Sequence, residues 1–221
     1  MSLANEEWKS HIWRGSAADF HSLDLAMDRA VWSCVVSAPA LILGSTQNEG
    51  DVDSALASTQ GIDIVRRRSG GGVVYVHPDT SIWCDITIPR DDVLWNDDVS
   101  TSMLWLGEVF VEALAPWLTT SVYRNEFVVG QDGRAVCFAS TSPGEVFAGT
   151  SKVVGISQRR TREGARFQCV LYRKWNPEDW AHCLTSSEVA QRVRTLPVAT
   201  VDITAEEMTD ALIAALTHVR I

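Results

Sequence analysis

The segment Ile62-Asp63-Ile64-Val65-Arg66-Arg67-Arg68-Ser69-Gly70-Gly71-Gly72-Val73-Val74-Tyr75-Val76 places an arginine and glycine run between two β-rich stretches. It reads as strand, loop, strand. Three glycines after a strand let the backbone approach a ligand closely. Their N–H groups can form a concave donor cluster for an anion. Arg66, Arg67 and Arg68 add positive charge that suits a carboxylate or a phosphate. No Gly-Lys-Ser/Thr follows, so this is not a Walker A loop. β-branched residues follow instead of a helix, so it is not a dinucleotide fingerprint. On these residues alone, a tight hairpin with a solvated arginine cluster fits equally well.

Working outward, Ser16 is expected to cap a helix over residues 16–32, with Phe20, Leu23, Met27, Ala30 and Val31 on one face. Residues 40–44 read as a buried strand and 51–60 as a weak helix. Residues 73–76 and 82–88 read as an antiparallel pair joined by His77-Pro78-Asp79-Thr80. Helix is expected over 101–117, and strands over 122–129, 135–138, 146–148, 153–157 and 167–171. Asn176-Pro177-Glu178 looks like a helix start. Helices over 186–196 and 204–219 end the chain, the last with a Thr204/Glu207 capping box. Helices at both ends and strands in the middle predict an α+β fold, not a doubly wound sheet.

The 221 residues suit one domain. A net charge of −9 argues against non-specific nucleic-acid binding, which needs a basic surface. The five cysteines show no CxxC pair and no zinc-like spacing. No apolar stretch is long enough to span a bilayer, and no signal peptide is read, so a cytoplasmic protein with reduced thiols is expected. No metal site is expected.

Arg67-x-Ser69-Gly70-Gly71-Gly72-x-Val74-Tyr75 resembles the R-x-S-G-G-G-x-V-Y/F signature of the lipoate–protein ligase A family. Gly149-Thr150-Ser151-Lys152-Val153-Val154-Gly155-Ile156-Ser157-Gln158-Arg159 resembles that family's G-x-K-x-x-G-x-A/S-x-R segment. Leu43-Gly44-x-x-Gln47 resembles its L/I-G-x-x-Q strand end. The three lie in family order, and the resemblance spans roughly residues 15–200. It implies the biotin/lipoate ligase-like fold: a mixed, mostly antiparallel sheet flanked by helices. It also implies a single catalytic domain over residues 1–221, without the accessory C-terminal domain of some ligases.

The activity it implies is attachment of lipoate, or octanoate, to a lysine of a lipoyl acceptor domain, through a lipoyl-adenylate made from ATP with Mg2+. Neither nucleic acid nor membrane is expected as a partner. By the same resemblance Lys152 binds the substrate carbonyl and activated phosphate. Arg67, Ser69, Gly70, Gly71, Gly72, Tyr75, His77, Gly155, Ser157 and Arg159 form the substrate and adenylate site. Val74, Val154 and Ile156 are expected to wall an apolar acyl tunnel.

Cys137, fifteen residues before Lys152, opens a second route. Cysteine octanoyltransferases related to these ligases carry a Cys in a similar place. Such an enzyme passes octanoyl from acyl-carrier protein through a thioester, without ATP or any other cofactor. A buried structural cysteine is the other reading of Cys137.

Two family elements are changed. Val76-His77-Pro78-Asp79-Thr80 stands where His-Asp-x-Gly-Asn is common, and Phe167-Gln168-Cys169-Val170 where His-Gly is. They motivate a third reading, a non-catalytic lipoyl-ligand binding or partner subunit.

Overall fold

The computed structural model describes residues 7–219; residues 1–6 and 220–221 lie outside that range. Seven strands form one sheet in the order β1 (Lys9–Gly15), β2 (Ala30–Val36), β6 (Ser81–Pro89), β10 (Gly164–Tyr172), β9 (Ser151–Arg160), β8 (Val146–Ala148), β7 (Ser121–Val122). Only β1 and β2 run parallel in it. A second sheet has the order β4 (Asp63–Arg66), β3 (Ala40–Leu43), β5 (Val74–Val76). The fold is therefore α+β, with a mostly antiparallel large sheet, as expected.

Strand alternation sorts the side chains into layers. Ile82, Cys84, Ile86 and Ile88 of β6 face helices α3 (Leu104–Leu114) and α5 (Ala205–Thr217), as do Phe167, Cys169 and Leu171 of β10. The opposite face of the large sheet presents Trp83, Val170 and Tyr172 to Ala40, Ile42, Val74 and Val76 of the small one. Phe20 of α1 (Ala17–Ser22) closes this middle layer. Leu41, Leu43 and Tyr75 point out of the small sheet's other face. They pack there with α2 (Ser54–Thr59), α4 (Ser187–Val193) and Trp180. The Ser16 and Ser186 caps and the Thr204/Glu207 capping box start α1, α4 and α5 where the sequence places them, whereas α2 starts at Ser54, capped by Asp53, and not at Asp51.

Several local expectations are corrected. The helix from Ser16 stops at Ser22, and residues 30–36 form β2 instead. Val31, Val35 and Val36 favour a pleated surface, and β1 and β6 supply the pairing on both sides. β1 itself was not anticipated. β5 and β6 do not pair. The turn from His77 to Ser81, pinned by the Ser81 amide on the His77 carbonyl and by Ser81 Oγ on both His77 backbone groups, passes the chain from the small sheet to the large.

The strand over 122–129 shrinks to β7. Residues 137–139 turn into a short 3-10 helix after a single bridge of Val136 to Val73. Asn176-Pro177 opens a one-turn 3-10 helix only. No helix among the described residues is long and apolar enough to cross a membrane.

Candidate active site

The middle layer contains a cleft. Gly155 and Ser157 of β9 and their cross-strand partners Val170 and Gln168 of β10 form its floor. Ile42, Val74 and Phe138 stand opposite, and His21, Trp83 and Arg67 complete the lining. Its free volume is about 20 Å3, room for roughly one water, so side chains must move apart before a small molecule can enter. Val154 and Ile156, expected to wall a tunnel, face the α3–α5 core instead, because alternate residues of β9 point to opposite sides.

The arginine–glycine run forms the loop between β4 and β5. Gly71 adopts φ +101°, a left-handed conformation that only glycine takes without strain. A Cβ on Gly72 would lie 2.6 Å from the Val136 nitrogen, so this backbone packs directly on the 135–137 segment. Gln47 ties the same junction, donating to the Ala135 carbonyl at 2.9 Å and accepting from Gly44 N–H at 3.3 Å.

The arginines brace this loop. Arg67 donates to the carbonyls of Gly70 (2.8 Å) and Gly72 (3.0 Å), and Arg66 to those of Gly44 and Gln47. Arg68 pairs with exposed Asp24. Among the described residues, none accepts a hydrogen bond from the amides of Gly70, Gly71 or Gly72.

Lys152 does not reach openly into the cleft. Its ammonium is buried under Phe138, 5.0 Å from the ring centre. It donates to Glu145 Oε1 (2.7 Å) and to the carbonyls of Ser140 (3.0 Å) and Cys137 (3.2 Å), which occupies all three of its protons. Glu145 accepts in addition from Ser142 N–H at 2.8 Å. Burial raises the Glu145 pKa in spite of the lysine beside it. Lys152 Cε lies 3.6 Å from where a Gly155 Cβ would be, which puts the lysine next to the Gly155 end of the cleft.

The other end is polar. Ser69 Oγ donates to Gln168 Oε1 at 2.7 Å and lies 3.1 Å from Ser157 Oγ. Gln168 Nε2 meets His21 Nδ1 at 3.3 Å. Burial, then the guanidinium groups of Arg166, Arg67 and Arg68, push the His21 pKa down to about 3, so the ring is neutral at pH 7. Behind it Arg166 Nε meets buried Asp85 at 2.5 Å, and Trp83 Nε1 donates to the same carboxylate at 2.6 Å.

Residues 20–217 match the model of the lipoyl protein ligase A/B catalytic domain. The chain belongs to this family. Among solved structures, a bi-partite lipoate protein ligase from Thermoplasma acidophilum, described with its E2 lipoyl domain, superposes with a TM-score of 0.70 at 18% identity, covering 96% of this chain and 83% of that one. A lipoate-protein ligase A bound with ATP gives 0.69 at 17% identity, over 96% and 85%. Plasmodium falciparum LipL1 in complex with lipoate gives 0.58 at 13%, over 95% and 59%. These likenesses establish the shared fold. No curated protein matches the chain.

Of the family-motif residues, the cleft gathers Arg67, Ser69, Gly155 and Ser157, with Gly70 to Gly72 beside them. Arg159 continues the Gly155–Ser157 face of β9, and no described residue accepts a hydrogen bond from its guanidinium. Tyr75 does not belong to the cleft. It alternates away from Val74, stacks on Trp180 with ring centres 5.7 Å apart, and its pKa is pushed up to about 12 by burial. His77 also lies outside, where its Nδ1 accepts from Asp79 N–H in the turn before β6.

Cys137 is buried in the middle layer, its sulfur 3.9 Å from the Cβ position of Gly71. His21, Trp83, Glu145 and Phe138 were not anticipated at the site. Asp85 gave a signal, an acid inside the apolar run 82–88, and such acids are buried only when paired.

Proposed function

We propose that this protein attaches lipoate, or octanoate, to a specific lysine of a lipoyl acceptor domain through an acyl-adenylate formed from ATP. The observation that carries the reading is the narrow cleft between the sheets, flanked by unpaired glycine amides and by Lys152. Its lining of Ile42, Val74, Phe138 and Val170 has the apolar character that an acyl chain needs. The free amides of Gly70 to Gly72 suit the carboxylate and phosphate oxygens, and the guanidinium of Arg159, one rung beyond Ser157, stands at the polar end of the cleft.

In the first step a carboxylate oxygen of the acid attacks the α-phosphorus of ATP, and pyrophosphate leaves. In the second, the acceptor amine attacks the acyl carbonyl, loses its proton, and AMP departs as the amide forms. Lys152 supplies positive charge where the carbonyl oxygen becomes negative. To reach that oxygen it gives up at least one of its three present partners, with the shift of Phe138 that this requires. Mg2+ would accompany the triphosphate, since this ion keeps several waters and binds largely through substrate phosphates.

Cys137 supports a second reading, because its sulfur adjoins the glycine loop and its carbonyl holds Lys152. In that case octanoyl passes from acyl-carrier protein to the thiol and then to the acceptor, without ATP. The test is the mass of an apo lipoyl domain after incubation with lipoate or octanoyl-acyl-carrier protein, with and without Mg-ATP, using wild type and Cys137→Ser. Ligation requires ATP and survives the substitution. Modification without ATP that is lost in Cys137→Ser supports the thioester route. No modification in any arm refutes both.

A further inference from the structure

The polar end of the cleft holds a hydrogen-bond donor that the protein leaves unused. Ser69 spends its proton on Gln168 Oε1, so Gln168 faces His21 with its amide N–H, and His21 Nδ1 is the acceptor. A neutral imidazole carries one ring proton, which then sits on Nε2. His21 Nε2 is buried and has no hydrogen-bond partner. The residue is more than nine-tenths buried and lines the cleft. Burying a donor without a partner is costly, and the fold has nonetheless built Ser157, Ser69 and Gln168 into a chain that fixes its direction.

The position of this donor relative to Lys152 says which part of a substrate meets it. Lys152 lies at the Gly155–Val170 rung of the sheet, and Ser157–Gln168 is the next rung on the same face, about 7 Å further. An acyl group with its carbonyl at Lys152 therefore sends its tail toward His21. Trp83 stands there too, its ring centre 4.9 Å from that of His21. An aromatic ring beside a lone N–H suits sulfur, which is polarisable, accepts weak hydrogen bonds and packs well on aromatic edges. A terminal methyl leaves the donor unpaired.

We propose that His21 is a specificity-determining residue that favours an acyl substrate ending in a dithiolane, lipoate, over the plain alkyl chain of octanoate. The proposal rests on the acyl-attachment reading and extends it to the tail. Sulfur is a weak acceptor, so the discrimination is about five- to tenfold in kcat/KM, far below what a well-paired hydroxyl gives.

The experiment measures kcat/KM for lipoate and octanoate with apo lipoyl domain and Mg-ATP, and the Kd of each acid by calorimetry. Wild type, His21→Leu and His21→Gln are compared. Wild type is expected to prefer lipoate. His21→Leu should lower the lipoate-to-octanoate ratio about fivefold or more, mainly through KM, with octanoate gaining because the unpaired donor is gone. His21→Gln, which keeps an N–H, should retain most of the preference. Equal affinity of wild type for the two acids, or a ratio in His21→Leu within twofold of wild type, overturns the proposal. If wild type modifies no acceptor with either acid, the attachment reading fails, and the calorimetric ratio still decides the role of His21.

Discussion

Lowering the pH should destabilise the protein through His21, by an amount the structure lets one work out. The unfolded residue titrates near 6.5, and the folded one near 3. A folded pKa held below the unfolded one means that the unfolded chain binds the extra proton. Stability from this group is therefore complete above pH 6.5 and falls as the pH drops toward 3. Each pH unit below 6.5 costs about 1.4 kcal/mol, so the loss is roughly 3 kcal/mol by pH 4.5.

Carboxylates with lowered pKa values, such as Asp132 on Arg192, also weaken the fold in acid. They are the same in a His21→Gln variant and cancel in the difference. Urea unfolding of both proteins at pH 7.5, 6.5, 5.5 and 4.5, followed by tryptophan fluorescence, gives that difference. The variant should gain on wild type by about 1 to 1.5 kcal/mol per pH unit between 6 and 4.5. Its offset at pH 7.5 measures packing and is irrelevant to the slope. A flat difference would refute the reasoning, since it would mean that folded His21 accepts a proton as readily as a free imidazole.

Three further outcomes follow from the site. Lys152→Met should lower acceptor modification at least a hundredfold and destabilise the fold by about 3 kcal/mol, because it strips buried Glu145 of its counter-charge; activity and urea melts check both. Gly72→Ala should cost about 2 kcal/mol or more, since its Cβ would overlap the Val136 backbone, whereas Gly70→Ala meets nothing within 4 Å and should stay within about 0.5 kcal/mol. Arg159→Met should leave the melting temperature within about 2 °C of wild type and raise the KM for ATP or lipoate about tenfold; an unchanged KM would remove Arg159 from the site.

The sequence announces the cleft more clearly than it announces the sheet. Glycine at 71 and 72 is required by local backbone geometry, and such needs are written in single letters. Lys152 and Ser157 share one strand, so period-two alternation already puts Ser157 with Gly155. What stayed illegible depends on contacts between distant segments. Residues 30–36 satisfy helical spacing and a strand pattern alike, and only β1 and β6 on either side decide for the strand. β5 and β6 look like a hairpin because each is β-rich. Their separation depends on β3 and β2 as alternative neighbours. His21 reaches the site from a six-residue helix, 147 positions from its partner Gln168, and no local pattern marks that meeting. Tyr75 is a motif residue whose strand neighbour Val74 faces the cleft while Tyr75 itself packs in the outer core, an alternation that the motif does not display.

The arginine cluster changes meaning in this setting. Three adjacent cations beside a glycine loop suggest direct anion binding, yet Arg66 and Arg67 spend their donors on backbone carbonyls and Arg68 lies at the surface. Arg67 holds the carbonyls of Gly70 and Gly72, while no described residue accepts from the amides of the run. A rigid set of amide donors costs no reorganisation when a charged group arrives, whereas free arginine side chains would have to be ordered first. The same guanidinium lowers the pKa of His21 from within the cleft lining. One arginine thus fixes the donor loop and helps keep the tail-reading imidazole neutral, which couples the two ends of the cleft through a residue that the motif alone assigns only to substrate contact.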